Sequence, residues 1–406
     1  MKILQVNTVF GFASTGTIVR DVQALCEQQG IECHVAYSVT NLEPSQIKNG
    51  YQIGNNLEHK MHGLLCRING EQAYFSYFST LRFICHINKI KPDIVHLHTI
   101  HGNYLNIKLI FRYLAKKNIR TIITLHDCWY YTGGCFHYTQ VGCFKWRQSC
   151  GNCPKKRTDT PAYFLDKSSA ILSDRRKLFD AIQNLTVVGV SKWIAKESKK
   201  GVFYDKNVTT IYNGVDTNIF KPTPSDFRQC LSLEGKFVIM GLVGKWFDPL
   251  NKDAFDYIVS KLQSDDRLLL FGCKGKRTDL SPNIIQFGYT TNREELAALY
   301  SCADVFINST HEESFSLINI EPQACGTPVV TYANTGAQET VDNSCSFSVQ
   351  TDDYKAMWEK VQLIKATGKA IYTEQCIKRV NTLFGMENNY KQYIDLYRKN
   401  NDKETN

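Results

Sequence analysis

No stretch of this 406-residue chain approaches the roughly eighteen consecutive apolar residues that a membrane-spanning helix needs, so no integral membrane helix is expected. The opening residues, MKILQVNTVFGF, also lack the unbroken apolar core of a secretory leader, because Gln5, Asn7 and Thr8 interrupt it. There is no low-complexity tract and no fixed-period repeat, which argues against disordered scaffolds and solenoids. The expected compartment is therefore the cytoplasm, where thiols stay reduced. Cysteine, by contrast, is plentiful. Of fifteen, Cys128, Cys135, Cys143, Cys150 and Cys153 crowd into HDCWYYTGGCFHYTQVGCFKWRQSCGNCPKKR, residues 126–157.

The length exceeds what one hydrophobic core fills and fits two ordinary domains. With 43% apolar and 21% charged residues the composition is globular. The net charge of +9 is uneven. Residues 1–190 hold 22 Lys+Arg against 12 Asp+Glu, or +10, and the remainder holds 26 against 27, or −1. Such asymmetry suits either a surface that meets something anionic or an ordinary solvated basic face.

Strand-like runs alternate with helical ones. KILQVNTVF leads into a Gly/Ser/Thr loop and a helix with Ile18, Val22 and Leu25 on one face, stopped by Gly30. ECHVAYSV, PDIVHLHT, TIITLHD, LTVVGV and VTTIYNGVD continue the pattern. From Lys236 it restarts with KFVIMGLVG, RLLLFGC, NIIQFGY, ADVFINS and TPVVTYA. NGVDTNIFKPTPSD, rich in Asn, Asp and Pro, reads as the linker between the halves. This order predicts an α/β protein of two Rossmann-like, doubly wound domains facing across a cleft. The expected boundaries are 1–212, with a Cys-rich insertion near 128–157, then 213–376, and a C-terminal helix over 377–406 packing back toward the first domain.

Ligands of such sheets bind beyond the carboxyl ends of the strands. There the segment NSTHEESFSLINIEPQACGTPVV places Glu313 and Glu321 with seven residues between them. Glu313 suits a helix start, where an acid favours the dipole. Glu321 lies about two turns further on, in an apolar helix, where no such effect explains it. Together they can accept hydrogen bonds from a polyol. GLVGKWFDPLNKDAF places Lys245 and Lys252 around a loop that leads into a helix, a pattern suited to a diphosphate as well as to plain loop charge. GFASTGT is not a full Gly-x-Gly-x-x-Gly fingerprint.

These stretches carry a resemblance. ESFSLINIEPQACGTPVV resembles the E-x7-E signature of the family-4 retaining glycosyltransferases, which have the GT-B fold. IYNGVDTNIFKP, GVSKW, VGKWFDPLNK and FGYTTNREELAALYSCADVFINS resemble other family segments in the right order. DIVHLHTIHGNYLN and TLHDCW resemble the acceptor domain of members that build bacterial exopolysaccharides of the colanic-acid type. The resemblance covers nearly the whole chain. It implies that Lys245 and Lys252 hold the nucleotide diphosphate, that Glu313 contacts the transferred sugar and that Glu321 contacts the ribose. Phe315, Ser316 and Leu317 would lie near sugar and phosphate through backbone groups. His126 would face the donor sugar, and Gly16 matches the glycine loop, although Thr17 stands where a basic residue is often found. His96, His98 and His101 would lie near the acceptor. Implied too are a hexose-type UDP- or GDP-sugar donor, a glycan or polyprenyl-diphosphate-linked acceptor, and catalysis with no required cofactor or divalent metal. The alternative is a non-catalytic nucleotide-sugar-binding protein on the same fold.

Cys135, Cys143, Cys150 and Cys153 admit three readings: a structural four-thiolate zinc clip, packed reduced thiols, or a disulfide or redox pair. Phe144 and Trp146, interleaved with Lys145, Arg147, Lys155, Lys156 and Arg157, suggest peripheral contact with an anionic membrane surface at the inner face of the cell membrane. No reader module accompanies the basic residues, so nucleic acid is not an expected partner.

Overall fold

The computed structural model describes every residue except 160, 161, 276 and 400–406. The chain divides into two compact units. The first comprises Met1–Ile211 together with the segment from Tyr390 onward, and the second comprises Tyr212–Asn389.

The first unit is built on seven strands: β1 (Lys2–Phe10), β2 (Glu32–Thr40), β3 (Gly50–Gln52), β4 (Ile94–Leu97), β5 (Arg120–Leu125), β6 (Leu185–Gly189) and β7 (Asn207–Thr210). Their order is β3-β2-β1-β4-β5-β6-β7, and every pair is parallel. The second unit has β8 (Phe237–Leu242), β9 (Asp266–Cys273), β10 (Ile284–Gly288), β11 (Val305–Asn308), β12 (Val329–Tyr332) and β13 (Phe347–Val349). These run β10-β9-β8-β11-β12-β13, again all parallel. Helices cover both faces of a parallel sheet, so central strands are buried on both sides. Ile94–Leu97, Leu185–Gly189, Val305–Asn308 and Val329–Tyr332 are buried at every position. The two doubly wound α/β units are those expected from the alternation. The edge strands β3 and β13, three residues each, left no readable pattern.

In each sheet the strand order reverses once, between β1 and β4 and between β8 and β11. Two adjoining strands whose crossovers leave in opposite directions open a crevice at their carboxyl ends. In the first unit that crevice is reached by the helix Ala13–Gln28, which lies close on β1 through Gly16: a Cβ there would sit 3.2 Å from the Val9 carbonyl oxygen. In the second unit it is reached by the loop after β8.

The chain end expected as one helix over 377–406 is two. Ala370–Leu383 stops at Phe384, and Gly385 forms a parallel bridge with Val215. Met386–Arg398 then follows, and from Tyr390 its residues belong to the first unit. There the Tyr397 hydroxyl lies 2.6 Å from Nδ1 of His96, and Arg120 donates to the carbonyls of Leu396 and Tyr397 at 2.6 and 2.9 Å. Residues 400–406 lie outside the described residues. Among the described residues no helix is long and apolar enough to cross a membrane.

Candidate active site

In the second unit the carboxyl ends of β8 and β11 bring Lys245 and Glu313 together. Lys245 sits in the short helix Val243–Trp246, directly after β8, and its Nζ lies 3.4 Å from Oε1 of Glu313. The Lys245 carbonyl accepts from the Asn251 amide at 2.9 Å, which ties the two halves of the loop. Glu313 is fixed from the β12 side. Its N–H donates to the Thr335 hydroxyl oxygen at 3.0 Å, and its carbonyl accepts from the same hydroxyl at 2.7 Å and from the Gly336 N–H at 2.9 Å. The Thr310 hydroxyl donates to Oε1 at 3.3 Å. Oε2 of Glu313 is buried and has no partner.

That orphan oxygen has company. Ser309 Oγ, Ser314 Oγ, Asn251 Oδ1 and Trp246 Nε1 are likewise buried without partners. All belong to the segments that follow β8 and β11 in sequence. Native interiors satisfy most buried polar atoms, and those left open need a reason. A polar ligand rich in hydroxyls and phosphate oxygens supplies one.

Ser316 precedes the eight-residue helix Leu317–Ala324, and its hydroxyl accepts from Asn308 Nδ2 at 3.1 Å. Asn308 also donates to Asn319 at 2.8 Å, so the strand end and the helix are locked in register. Phe315 is buried beside Tyr212 and Phe384. Glu321 lies further along the helix and accepts from the Tyr300 hydroxyl at 3.0 Å; burial pushes its carboxyl up to about 7. Lys252 stands apart from the Lys245–Glu313 pair as a contact: it opens the helix Lys252–Lys261, is largely exposed, and is ion-paired with Asp256. Thr310, Thr335, Asn308 and Asn251 are positioning groups that the sequence reading missed, since isolated loop polar residues leave no spacing signal.

The first unit holds a histidine relay at the ends of β4 and β5. Gln5 Nε2 donates to the Val19 carbonyl at 3.1 Å, which turns Oε1 toward Nε2 of His98 at 3.2 Å. His98 Nε2 must then carry the proton. Burial holds both His98 and His126 well below the ordinary histidine range, with His126 down to about 4, so each is neutral. It follows that His98 Nδ1 accepts from His126 Nε2 at 3.0 Å, leaving Nδ1 of His126 as an acceptor. His98 itself is fully buried beneath His126. His101 pairs with Asp127 at 2.8 Å; burial pushes the Asp127 carboxyl up, but His101 and the Trp129 N–H outweigh it and hold it low. His96 is buried between Thr124 and Tyr397. Gly16 lies in the first turns of the helix Ala13–Gln28, its carbonyl accepting from the Gly11 N–H at 3.1 Å.

The Cys-rich segment folds around its own aromatic side chains. Among the described residues no three His, Cys, Asp or Glu side chains are grouped to hold an ion. Cys135, Cys143, Cys150 and Cys153 are free thiols, and no cysteine is in a disulfide. Cys135 and Cys153 hydrogen-bond, which draws the Cys153 thiol down to about 7 and raises that of Cys135. Order comes from an aromatic core, where Trp146 packs on Tyr131 and Tyr138 at 4.9 and 5.0 Å. Arg175 adds to it: it is fully buried, stacks on Trp129 and donates to the Thr132 carbonyl at 2.6 Å. Of the residues expected to meet a membrane, Phe144 and Arg157 are exposed. Trp146 faces inward, Arg147 pairs with Glu197, and Lys155 pairs with Asp159.

Residues 251–380 match the family described as glycosyl transferases group 1. Over 417 aligned residues, 98% of this chain and 99% of the other, the sequence is 22% identical to WcaC of Escherichia coli (strain K12), whose name assigns it to colanic acid biosynthesis as a glycosyl transferase. Among solved structures, a sucrose-phosphate synthase from Thermosynechococcus elongatus superposes with a TM-score of 0.70 at 19% identity, covering 98% of both chains. HepE from Anabaena, solved with UDP-glucose, gives 0.66 at 14% identity, over 98% of this chain and 99% of that one. These likenesses establish the GT-B fold. Residues 16–219, half of the sequence, match the model described as Glycosyltransferase Family 4, and the chain belongs to that family.

Proposed function

We propose that this glycosyltransferase moves a hexose from a UDP- or GDP-sugar, with retention at the anomeric carbon, to a growing lipid-linked oligosaccharide of a surface polysaccharide. The transfer takes place at an anionic membrane surface. The observation that carries the reading is the Lys245–Glu313 pair at the β8/β11 crevice, with Glu313 Oε2 left open. Fixed positive charge there stabilises a nucleoside diphosphate as it leaves, in a site whose donors need no rearrangement. Lys245 supplies it without a divalent ion, and Lys252, exposed at a helix start, adds a second cation on exchanging Asp256 for phosphate.

The bond between the anomeric carbon and the phosphate oxygen breaks, and its electron pair leaves with the phosphate. The acceptor oxygen bonds to the same face, and its proton passes to the departing phosphate. Glu313 binds sugar hydroxyls through Oε2, and Glu321 binds the ribose. His126, neutral with a lone pair on Nδ1, serves as a hydrogen-bond acceptor and not as the base. The UDP-glucose bound by HepE supports a sugar nucleotide as donor, and the name of WcaC supports a polysaccharide as product.

The test is a thermal-shift and hydrolysis panel of UDP- and GDP-sugars on wild type and Lys245→Ala. One nucleotide sugar should stabilise the wild type and be hydrolysed slowly, and the variant should lose a hundredfold or more of that turnover. A stabilising ligand with no turnover, even with acceptor extracts added, would leave a binding protein on this fold. No response to any sugar nucleotide would sink the reading.

A further inference from the structure

We propose that the first unit docks on an anionic lipid bilayer through the outward face of the helix Asn56–Asn69 and the segments beside it. This rests on the membrane-associated reading above and names its surface. The helix carries Leu57, Met61, Leu64, Leu65 and Ile68, all exposed, Leu57 by 68% and Met61 by 57%. Their spacing of four, three, one and three places them on a single stripe about 100° wide. His62 and Cys66, on the opposite side, are buried. The helix therefore packs through an imidazole and a thiol and turns its apolar stripe outward, the reverse of an ordinary surface helix. Contiguous exposed apolar surface of this kind marks an interaction site.

The patch continues at both ends of the helix. Glu58 is paired with Arg82 at 2.7 Å and bonded by Ser79, which draws the helix Tyr77–Ile90 alongside with Phe78 76% exposed and Leu81 beside it. At the other end the Tyr163 N–H donates to the Arg67 carbonyl at 2.8 Å, and Phe164 and Leu165 follow, Phe164 72% exposed.

Charge selects lipid as the occupant. Lys60 and Arg67, both exposed, run along one edge of the stripe. Lys156 Nζ donates to the Phe164 carbonyl at 3.3 Å, next to exposed Arg157. The one acid on the helix, Glu58, is neutralised by Arg82. An apolar stripe with a basic edge suits the boundary between acyl chains and anionic headgroups. The excess of +10 over residues 1–190 has the matching sign.

The full-length protein is mixed with vesicles of about 30% phosphatidylglycerol in phosphatidylcholine, with no donor or acceptor present, and sedimented. Wild type should co-sediment at low salt and be released at about 0.5 M NaCl. Leu64→Ser/Ile68→Ser and, separately, Lys60→Glu/Arg67→Glu should each bind at least tenfold more weakly at unchanged Tm. Absence of wild-type binding, or equal binding by both variants, overturns the proposal. A concentration-dependent dimer abolished by Leu64→Ser/Ile68→Ser, with no vesicle binding, overturns it in favour of a second copy on this face. Since no sugar nucleotide takes part, failure here is separable from failure of the transferase reading.

Discussion

Glu321 accepts one hydrogen bond, from Tyr300, inside an apolar helix, and burial raises its carboxyl from 4.5 to about 7. The folded state therefore holds the proton more tightly than the unfolded chain does. Below about pH 4.5 both states are protonated and the site costs nothing. As pH rises toward 7 the unfolded chain releases its proton first, and stability falls by up to about 3 kcal/mol. Glu321→Gln should thus unfold in urea at a higher midpoint than wild type at pH 8 and at a similar midpoint near pH 4.5. An equal gap at both values would contradict the shift. That a carboxylate stands where it costs stability fits the ribose-binding role proposed for it. Glu313, Glu321 and Lys245 stood out in the sequence through the seven-residue interval between the acids and the lysine's place just after a strand. Thr310, Thr335 and Asn251 did not, because what matters about them is a hydrogen bond, to the Glu313 carboxylate or to a backbone carbonyl, that only the fold brings near.

At the scale of elements, Gly241 in β8 shows how a strand sets the site. A Cβ at this position would lie 1.9 Å from Nε1 of Trp246, the residue after Lys245. Gly241→Ala must push the buried indole out, at a cost of about 1–3 kcal/mol, and move the lysine's helix with it. The variant should lose thermal stability and sugar-nucleotide binding together. Gly244→Ala, with nothing within 4 Å of the added methyl, should lose neither. Strand alternation disclosed the central strands of both sheets, since buried parallel strands are written in continuous apolar residues. The helix Asn56–Asn69 marks the limit of such patterns: periodicity reveals that a helix has an apolar face but not which way the fold turns it.

Taken as a whole molecule, the first unit is made from two stretches of chain separated by the entire second unit. Arg120, at the start of β5, holds the returning helix through the carbonyls of Leu396 and Tyr397. Arg120→Ala should raise hydrogen exchange in residues 390–398 and in β4 and β5 together, while β8, β11 and β12 keep their protection. Equal loosening of both units would show that they do not open separately. During synthesis the same arrangement imposes an order. A ribosome finishes β1 to β7 long before it makes Tyr397, so His96 waits through the translation of some 300 residues for its last hydrogen-bond partner. The second unit, contiguous in sequence, can close while the first is still incomplete.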